Sequence, residues 1–213
     1  MFGPLETRNQ VGIDRQWQRA YMGERSNTLC IQTRNVELFI DQLAVIYAQA
    51  FSGDPWFEDW TPDSARAELQ SCVERGAVFV ISLDPETSRA LGCGVGLPMT
   101  DPVSSQSFRE RGLLRDTESS TTYYVAELCT AADMRNKGIC SDVLAGLLQA
   151  GRDAGCERVL TRTRPDNKGM IRVFEKSGFS SLARYLATTG GVTSEREVFL
   201  PQRIQLRSPT HLE

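Results

Sequence analysis

One stretch of this chain gathers most of the residues able to do chemistry. It starts in an apolar, aromatic run, Thr122–Thr130, which carries Glu127, Leu128, Cys129 and Thr130. It continues through Arg135, Asn136, Lys137, Gly138, Ile139 and Cys140, and enters an amphipathic run at Ser141 that ends near Ala154. A strand that enters a helix through a basic, glycine-bearing turn leaves backbone N–H groups free at the helix N-terminus. Those donors and the helix dipole suit a phosphate group. Arg135 and Lys137 add positive charge there. The turn lacks the Gly-Lys-Ser/Thr of a Walker loop and the G-x-G-x-x-G of a dinucleotide fingerprint. A nucleotide-dependent oxidoreductase therefore has no support in it. An ordinary strand–helix turn of no special role has the same composition, and that reading stays open at this point.

Asn167–Phe179 reads as a helix capped by Asn167 and stopped by Gly178, with Phe174 on its apolar side. The segment 54–60 sets Asp54, Glu58 and Asp59 among Trp56, Phe57 and Trp60. Such a lip draws in a cationic amine and stacks on its carbon skeleton; equally, it describes a solvated loop whose aromatic side chains anchor it. Gly92, Gly94 and Gly96 mimic a phosphate loop but sit inside a strand pattern, where glycine marks a bulge or close packing.

The elements that must position these groups follow from periodicity. Thr28–Thr33 reads as a strand. Residues 35–51 have apolar positions at helical spacing. Thr61, Pro62 and Asp63 open a second helix, with Thr61 as N-cap and Pro62 in the first turn. Ala77–Leu83 and Ala90–Leu97 are strands joined by a turn. Residues 101–121 form a long connection rich in Ser and Arg, and loops of that length usually have a role. Thr122–Thr130 is a strand, Gly138–Ala154 a helix, Arg158–Thr163 a strand and Asn167–Ser177 a helix. Phe179–Ala187 and Ser194–Leu200 close as a hairpin around Gly190 and Gly191. This order predicts an α/β fold, a single domain with a mixed central β-sheet flanked by helices. The domain spans 28–200, between an N-terminal tail, 1–27, and a C-terminal tail, 201–213.

Bulk properties exclude several classes. The 213 residues suit one core. Acidic residues outnumber basic ones, 27 to 24, and no basic run appears, so nucleic acid is not an expected partner. Apolar runs such as Leu43–Ala48 fall far short of the roughly 20 residues a membrane helix needs. Met1–Gln10 lacks the apolar core of a secretory signal. The six cysteines include no C-x-x-C pair, so no metal is expected and they read as reduced thiols of a cytoplasmic protein. The one histidine, His211, is too near the end to serve a core site.

Together, Arg135-x-x-Gly138-x-Cys140 and the set Asn167, Met170, Phe174, Gly178 and Phe179 resemble two motifs of the GNAT superfamily of acyl-CoA-dependent N-acyltransferases. The first is R/Q-x-x-G-x-G/A, at a helix entrance; the second is N-x-x-A-x-x-x-Y-x-x-x-G-F. The order of elements over 28–200 agrees. The resemblance implies acetyl-CoA as co-substrate, held by Leu128–Thr130, Arg135–Ser141, Asn167 and Phe174. It implies transfer of an acetyl group to a primary amine of a small molecule or peptide, and it is compatible with a homodimer. Backbone N–H groups near Leu128–Thr130 would face the oxyanion. Glu127 becomes the expected base or proton relay, against the alternative of a strand residue on a solvated face. Asp54, Trp56, Glu58 and Asp59 fall on the acceptor side, which predicts an acceptor with an added cationic or aromatic group. Cys140 and Phe174 depart from the motifs. Phe174 stands where the family's usual tyrosine donates a proton, and it has none to give. A non-catalytic acyl-CoA-binding sensor on the same fold is the competing reading.

Overall fold

A computed structural model describes residues 17–189 and 192–201. The elements run β1 Trp17–Met22, β2 Leu29–Thr33, α1 Ile40–Ser52, α2 Pro62–Glu74, β3 Val78–Leu83, β4 Ala90–Pro98, α3 Pro102–Arg109, β5 Thr122–Thr130, α4 Ile139–Asp153, β6 Arg158–Thr163, α5 Lys168–Lys176, β7 Phe179–Thr189 and β8 Val192–Pro201. One eight-stranded sheet has the order β1-β2-β3-β4-β5-β6-β8-β7. All neighbours are antiparallel except β5 and β6. This is the mixed α/β sheet the pattern predicts.

Helices cover both faces. On one face α1 and α2 bury Leu43, Tyr47, Phe51 and Leu69 against Phe79, Ile81 and Val95. On the other, α4 lays Val143, Leu144 and Leu147 on Val80, Tyr123 and Val125. Its approach depends on the glycines of β4: a Cβ on Gly94 would lie 2.7 Å from both Leu147 Cδ1 and Val143 Cγ1. Close packing, not phosphate binding, accounts for Gly94.

Two expectations need correcting. Residues 17–22, assigned to the tail, form β1 and pair with β2 as the sheet's edge. Tyr21 fastens this strand by donating its hydroxyl to Asp142 O at 3.0 Å. The rest of the two tails, 1–16 and 202–213, and the turn at Gly190 and Gly191 lie outside the described residues. Residues 101–121, expected as a loop, contain α3 and a 3₁₀ turn, Asp116–Thr121. Asp101 caps α3 by accepting from Ser104 N at 2.8 Å, and Pro102 occupies its first turn. The same Thr/Asp-Pro signal opens α2, where Thr61 accepts from Ser64 N. Phe108 of α3 meets Tyr124 edge-on at 5.1 Å between ring centres, so α3 covers the sheet beside α2.

The site is created where the sheet parts. The strands β5 and β6 pair only from Thr122 with Arg158 to Val125 with Thr161. Thr161 Oγ1 closes that ladder by donating to Val125 O at 3.1 Å. Beyond it β6 turns to β8, pairing Arg162 with Val198 and Thr163 with Glu197. The outer edge of β5 past Val125 is left open to the gap. On its other edge, β5 pairs Glu127 with Val95 but Val125 with Gly96, so Ala126 is an extra residue, a β-bulge.

Candidate functional site

The bulge decides where Glu127 points. In a regular strand Glu127 would share a face with Tyr123 and Val125, beneath α4. With Ala126 inserted, Leu128 packs with the α4 cluster and Cys129 with the α1–α2 cluster. Glu127 lines a chamber with Tyr47, Phe51, Trp56 and Glu58 from the α1–α2 side, Arg162 and Thr163 from β6, and Arg196 from β8. Phe174 and Asn167 of the α5 side complete the wall. Burial pushes the Glu127 carboxyl up to about 8; Glu68 and Glu58 add to the rise, while Arg162 and Arg196 oppose it. A carboxylate poised near neutral pH is well matched to taking a proton from an ammonium.

A groove on the α4–α5 side adjoins the chamber and shares Phe51, Trp56, Leu128, Asn167 and Met170 with it. Leu128, Cys129, Thr130, Arg135, Asn136, Gly138, Ile139, Cys140, Ser141 and Asn167 all line the groove. Gly138 adopts φ +86° and forms the N-terminal boundary of α4, whose first N–H groups have no acceptor within the helix. Thr130 Oγ1 lies 3.0 Å from Cys140 Sγ across the turn. Asn167 caps α5, accepting from Met170 N at 3.2 Å, while also reaching both cavities. Two predicted residues fall elsewhere. Lys137 does not line the groove; its Nζ sits 3.4 Å from Met134 Sδ. Phe174 belongs to the chamber, where it is buried against Phe199 and Phe179 at 5.2 and 5.7 Å between ring centres.

The groove also contains cations the sequence did not single out. Arg25, Arg172 and Lys176 join Arg135, with Asp54 the only carboxylate in the lining among the described residues. Four cations against one carboxylate, at a helix N-terminus, fit a ligand with several phosphate groups. Arg25 arrives from the β1–β2 turn, which folds over Gly138: a Cβ there would come within 2.7 Å of Arg25 Cβ. The Asp142 carboxylate holds the turn in place, accepting from Arg25 N, from Ser26 N at 2.8 Å and from Ser26 Oγ at 2.7 Å.

A family profile matches residues 41–179 and is described as the acetyltransferase (GNAT) family. The chain belongs to that family. The family's co-substrate is acetyl-CoA. A search of curated protein sequences finds no match. Solved structures share the fold at low identity. A ribosomal-protein-alanine N-acetyltransferase from Brucella melitensis aligns with a TM-score of 0.58 at 14% identity, covering 79% of this chain and 97% of its own. An N-acetyltransferase from Staphylococcus aureus Mu50 gives 0.60 at 14%, covering 80% and 96%. A chain of the NatC complex bound to Gag peptide and CoA gives 0.55 at 12%, covering 81% and 97%. Arg25 and Arg196 lie outside the stretch that matches the GNAT profile.

The acidic lip does not survive as expected. Glu58 is buried and fully engaged: Arg196 Nη2 donates to it at 3.0 Å and Trp60 Nε1 at 2.8 Å. The Arg196 guanidinium also lies 4.9 Å from the centre of the Trp56 ring. Asp54 lines the groove rather than the chamber, and Asp59 is exposed and lines neither. Trp56 lines both cavities. Edge-on contacts of Trp56 with Phe51 and of Trp60 with Tyr47 fasten the segment to α1, while Phe57 is exposed. Among the described residues no helix is long and apolar enough to cross a membrane.

Proposed function

We propose that the chain is an active N-acetyltransferase that moves the acetyl group of acetyl-CoA to a primary amine held at Glu127. The observation that carries this reading is the bulge at Ala126, which turns a carboxylate with a raised pKa into the chamber at the inner end of the basic groove. Arg25, Arg135, Arg172 and Lys176, with the N-terminus of α4, bind the phosphates. Leu128, Cys129, Thr130 and Asn167 line the path toward the chamber. The open edge of β5 offers backbone donors beside the reacting carbonyl. Glu127 receives the proton that the amine must lose before it attacks.

Phe174 supplies no proton to the departing thiolate. Hydroxyls of Tyr47 and Thr163 line the same chamber; burial holds the Tyr47 hydroxyl well above the usual phenol range, so it keeps its proton. A coenzyme A thiolate is also a tolerable leaving group without one. The same Phe174 favours the second reading, an acyl-CoA sensor without turnover. The cysteines among the described residues are free thiols, which supports a reducing, cytoplasmic setting.

The test is calorimetric titration with acetyl-CoA, followed by thiol release across an amine panel. Wild type should bind and turn over. Gly138→Asp should lose acetyl-CoA binding, because it places a negative charge at the phosphate position, strains a φ of +86° and collides with Arg25. A folded Gly138→Asp protein with unaltered affinity overturns the groove assignment. Binding with no thiol release for any amine decides for the sensor.

A further inference from the structure

The charges around the chamber can be cancelled pair by pair. Arg196 is taken by Glu58. On the far side of Glu127 a second compartment opens between α2 and α3, lined by Glu68, Arg75, Ser104, Phe108, Tyr124, Glu127 and Arg162, among others. There Arg75 is taken by Glu68 at 3.4 Å and Asp101 at 3.6 Å. Arg164, next to the site on β6's exit, is taken by Asp166 at 2.8 Å. Two titratable groups are left without an ion-pair partner among the described residues: the Glu127 carboxyl and the Arg162 guanidinium. Both line the chamber and the second compartment, one from each of the strands that part there.

Arg162 is held in place without being satisfied. Its Nη1 donates to Tyr185 Oη at 2.8 Å, and its guanidinium lies 5.8 Å from the Tyr124 ring centre and 6.0 Å from that of Phe108. These contacts fix the plane of a group with five N–H donors and use one of them. The neighbouring hydroxyls of Tyr124 and Thr163 are buried without a hydrogen-bond partner, and each belongs to a residue that lines one of the two spaces. The remaining Arg162 donors are not among the buried unpartnered atoms, so on a residue that lines both spaces they are open to a compact anion that enters. Glu127 and Arg162 do not approach to ion-pair distance, yet each acts on the other's charge and both line the same two spaces.

We infer that the acceptor is a small amine that also carries a carboxylate, an amino acid in the broad chemical sense, with its nitrogen at Glu127 and its carboxylate on the Arg162 fork. This rests on the acetyltransferase reading above and replaces the cationic acceptor that the acidic residues 54–59 suggested. Neutral amines lack the anion, diamines place a second cation against Arg162, and an amine at the head of a peptide has an amide where the carboxylate belongs.

The experiment compares matched acceptors: amino acids against their own primary amides and decarboxylated amines, by thiol release at saturating acetyl-CoA. The carboxylates should be preferred in kcat/KM by about ten- to a hundredfold, the scale of a charge-assisted hydrogen-bonded pair. In Arg162→Gln this ratio should fall toward one, mainly through acceptor KM. Arg162→Lys, which keeps charge and loses the fork, should retain part of it. Wild type that prefers the amide or the decarboxylated amine overturns the inference with no variant needed. An Arg162→Gln protein that loses activity equally on both members of a pair also overturns it, since that marks a structural role through Tyr185. If acetyl-CoA fails to bind wild type at all, the acetyltransferase reading falls and this one with it; if it binds and the carboxylates are not favoured, only this one falls.

Discussion

Replacing Glu58 with Gln removes one charge from a pair whose side chains are 4% and 2% exposed. Glutamine keeps the volume and still offers Trp60 Nε1 an acceptor, so the loss concentrates on Arg196. That guanidinium would remain buried against Trp56 with Ser194 as its other hydrogen-bond partner and no carboxylate. Breaking a buried pair by removing one partner costs about 3–5 kcal/mol, and the retained Trp60 contact places this case near ~3 kcal/mol. For a chain of this length each kcal/mol moves Tm by roughly 2–4 °C, so the midpoint should drop by about 6–12 °C. Thermal unfolding followed by circular dichroism reads this directly. The double variant Glu58→Gln/Arg196→Met should recover much of the loss, because an apolar side chain of similar size leaves no stranded charge. The pair also ties β8 to the α1–α2 connection, so turnover should fall with stability while acetyl-CoA affinity holds. A Tm within ~3 °C of wild type, accompanied by a raised acceptor KM, would refute the reasoning and return Glu58 to the role of an acceptor contact.

Glu127→Gln should remove the ascending, acidic limb that Glu127 gives the pH–rate profile: wild-type kcat/KM for the acceptor rises as pH approaches about 8, where the carboxyl loses its proton, and the variant should show low activity without that inflection. The same shift has a stability consequence. A carboxyl held above its unfolded value binds its proton more tightly in the folded state, so its contribution is complete below the ordinary carboxylate range and is lost as pH climbs toward about 8. The Tm of Glu127→Gln should therefore gain on wild type between pH 5 and pH 9; a constant difference across that range contradicts the burial argument. Asp142→Ala releases the Gly23–Asn27 turn and with it Arg25, so the acetyl-CoA Kd should rise roughly two- to fivefold, the scale of one exposed charge contact, while kcat at saturation stays level. Unaltered Kd by calorimetry would show that Arg25 does not meet the phosphates.

Much of the scaffold could be read from local patterns. The bounds of β5 and β6 match the apolar runs, Thr61 and Asn167 cap the helices they were expected to cap, and Gly138 stands where α4 begins. These features depend on backbone propensities and on side chains a few residues apart, so the chain's order of residues is sufficient for them. The edge strand β1 is not legible locally, because a strand at a sheet's rim needs only one neighbour and its short polar-apolar run is too weak a signal alone. The helix α3 carried the same cap-and-proline signal as α2, but Ser-rich composition masked it. What the tertiary structure alone decided is the chemistry of the chamber. Regular alternation from Tyr123 would send Glu127 under α4; the register with β4, which inserts Ala126, sends it into the chamber instead. The acids of 54–59 are adjacent in sequence, yet the residue that neutralises Glu58 is 138 positions away on β8. Arg162 stands out only because, among the described residues folded around it, no carboxylate comes to ion-pair distance. Strand register and charge pairing are relations between distant segments, and they acquire values only when the sheet has closed.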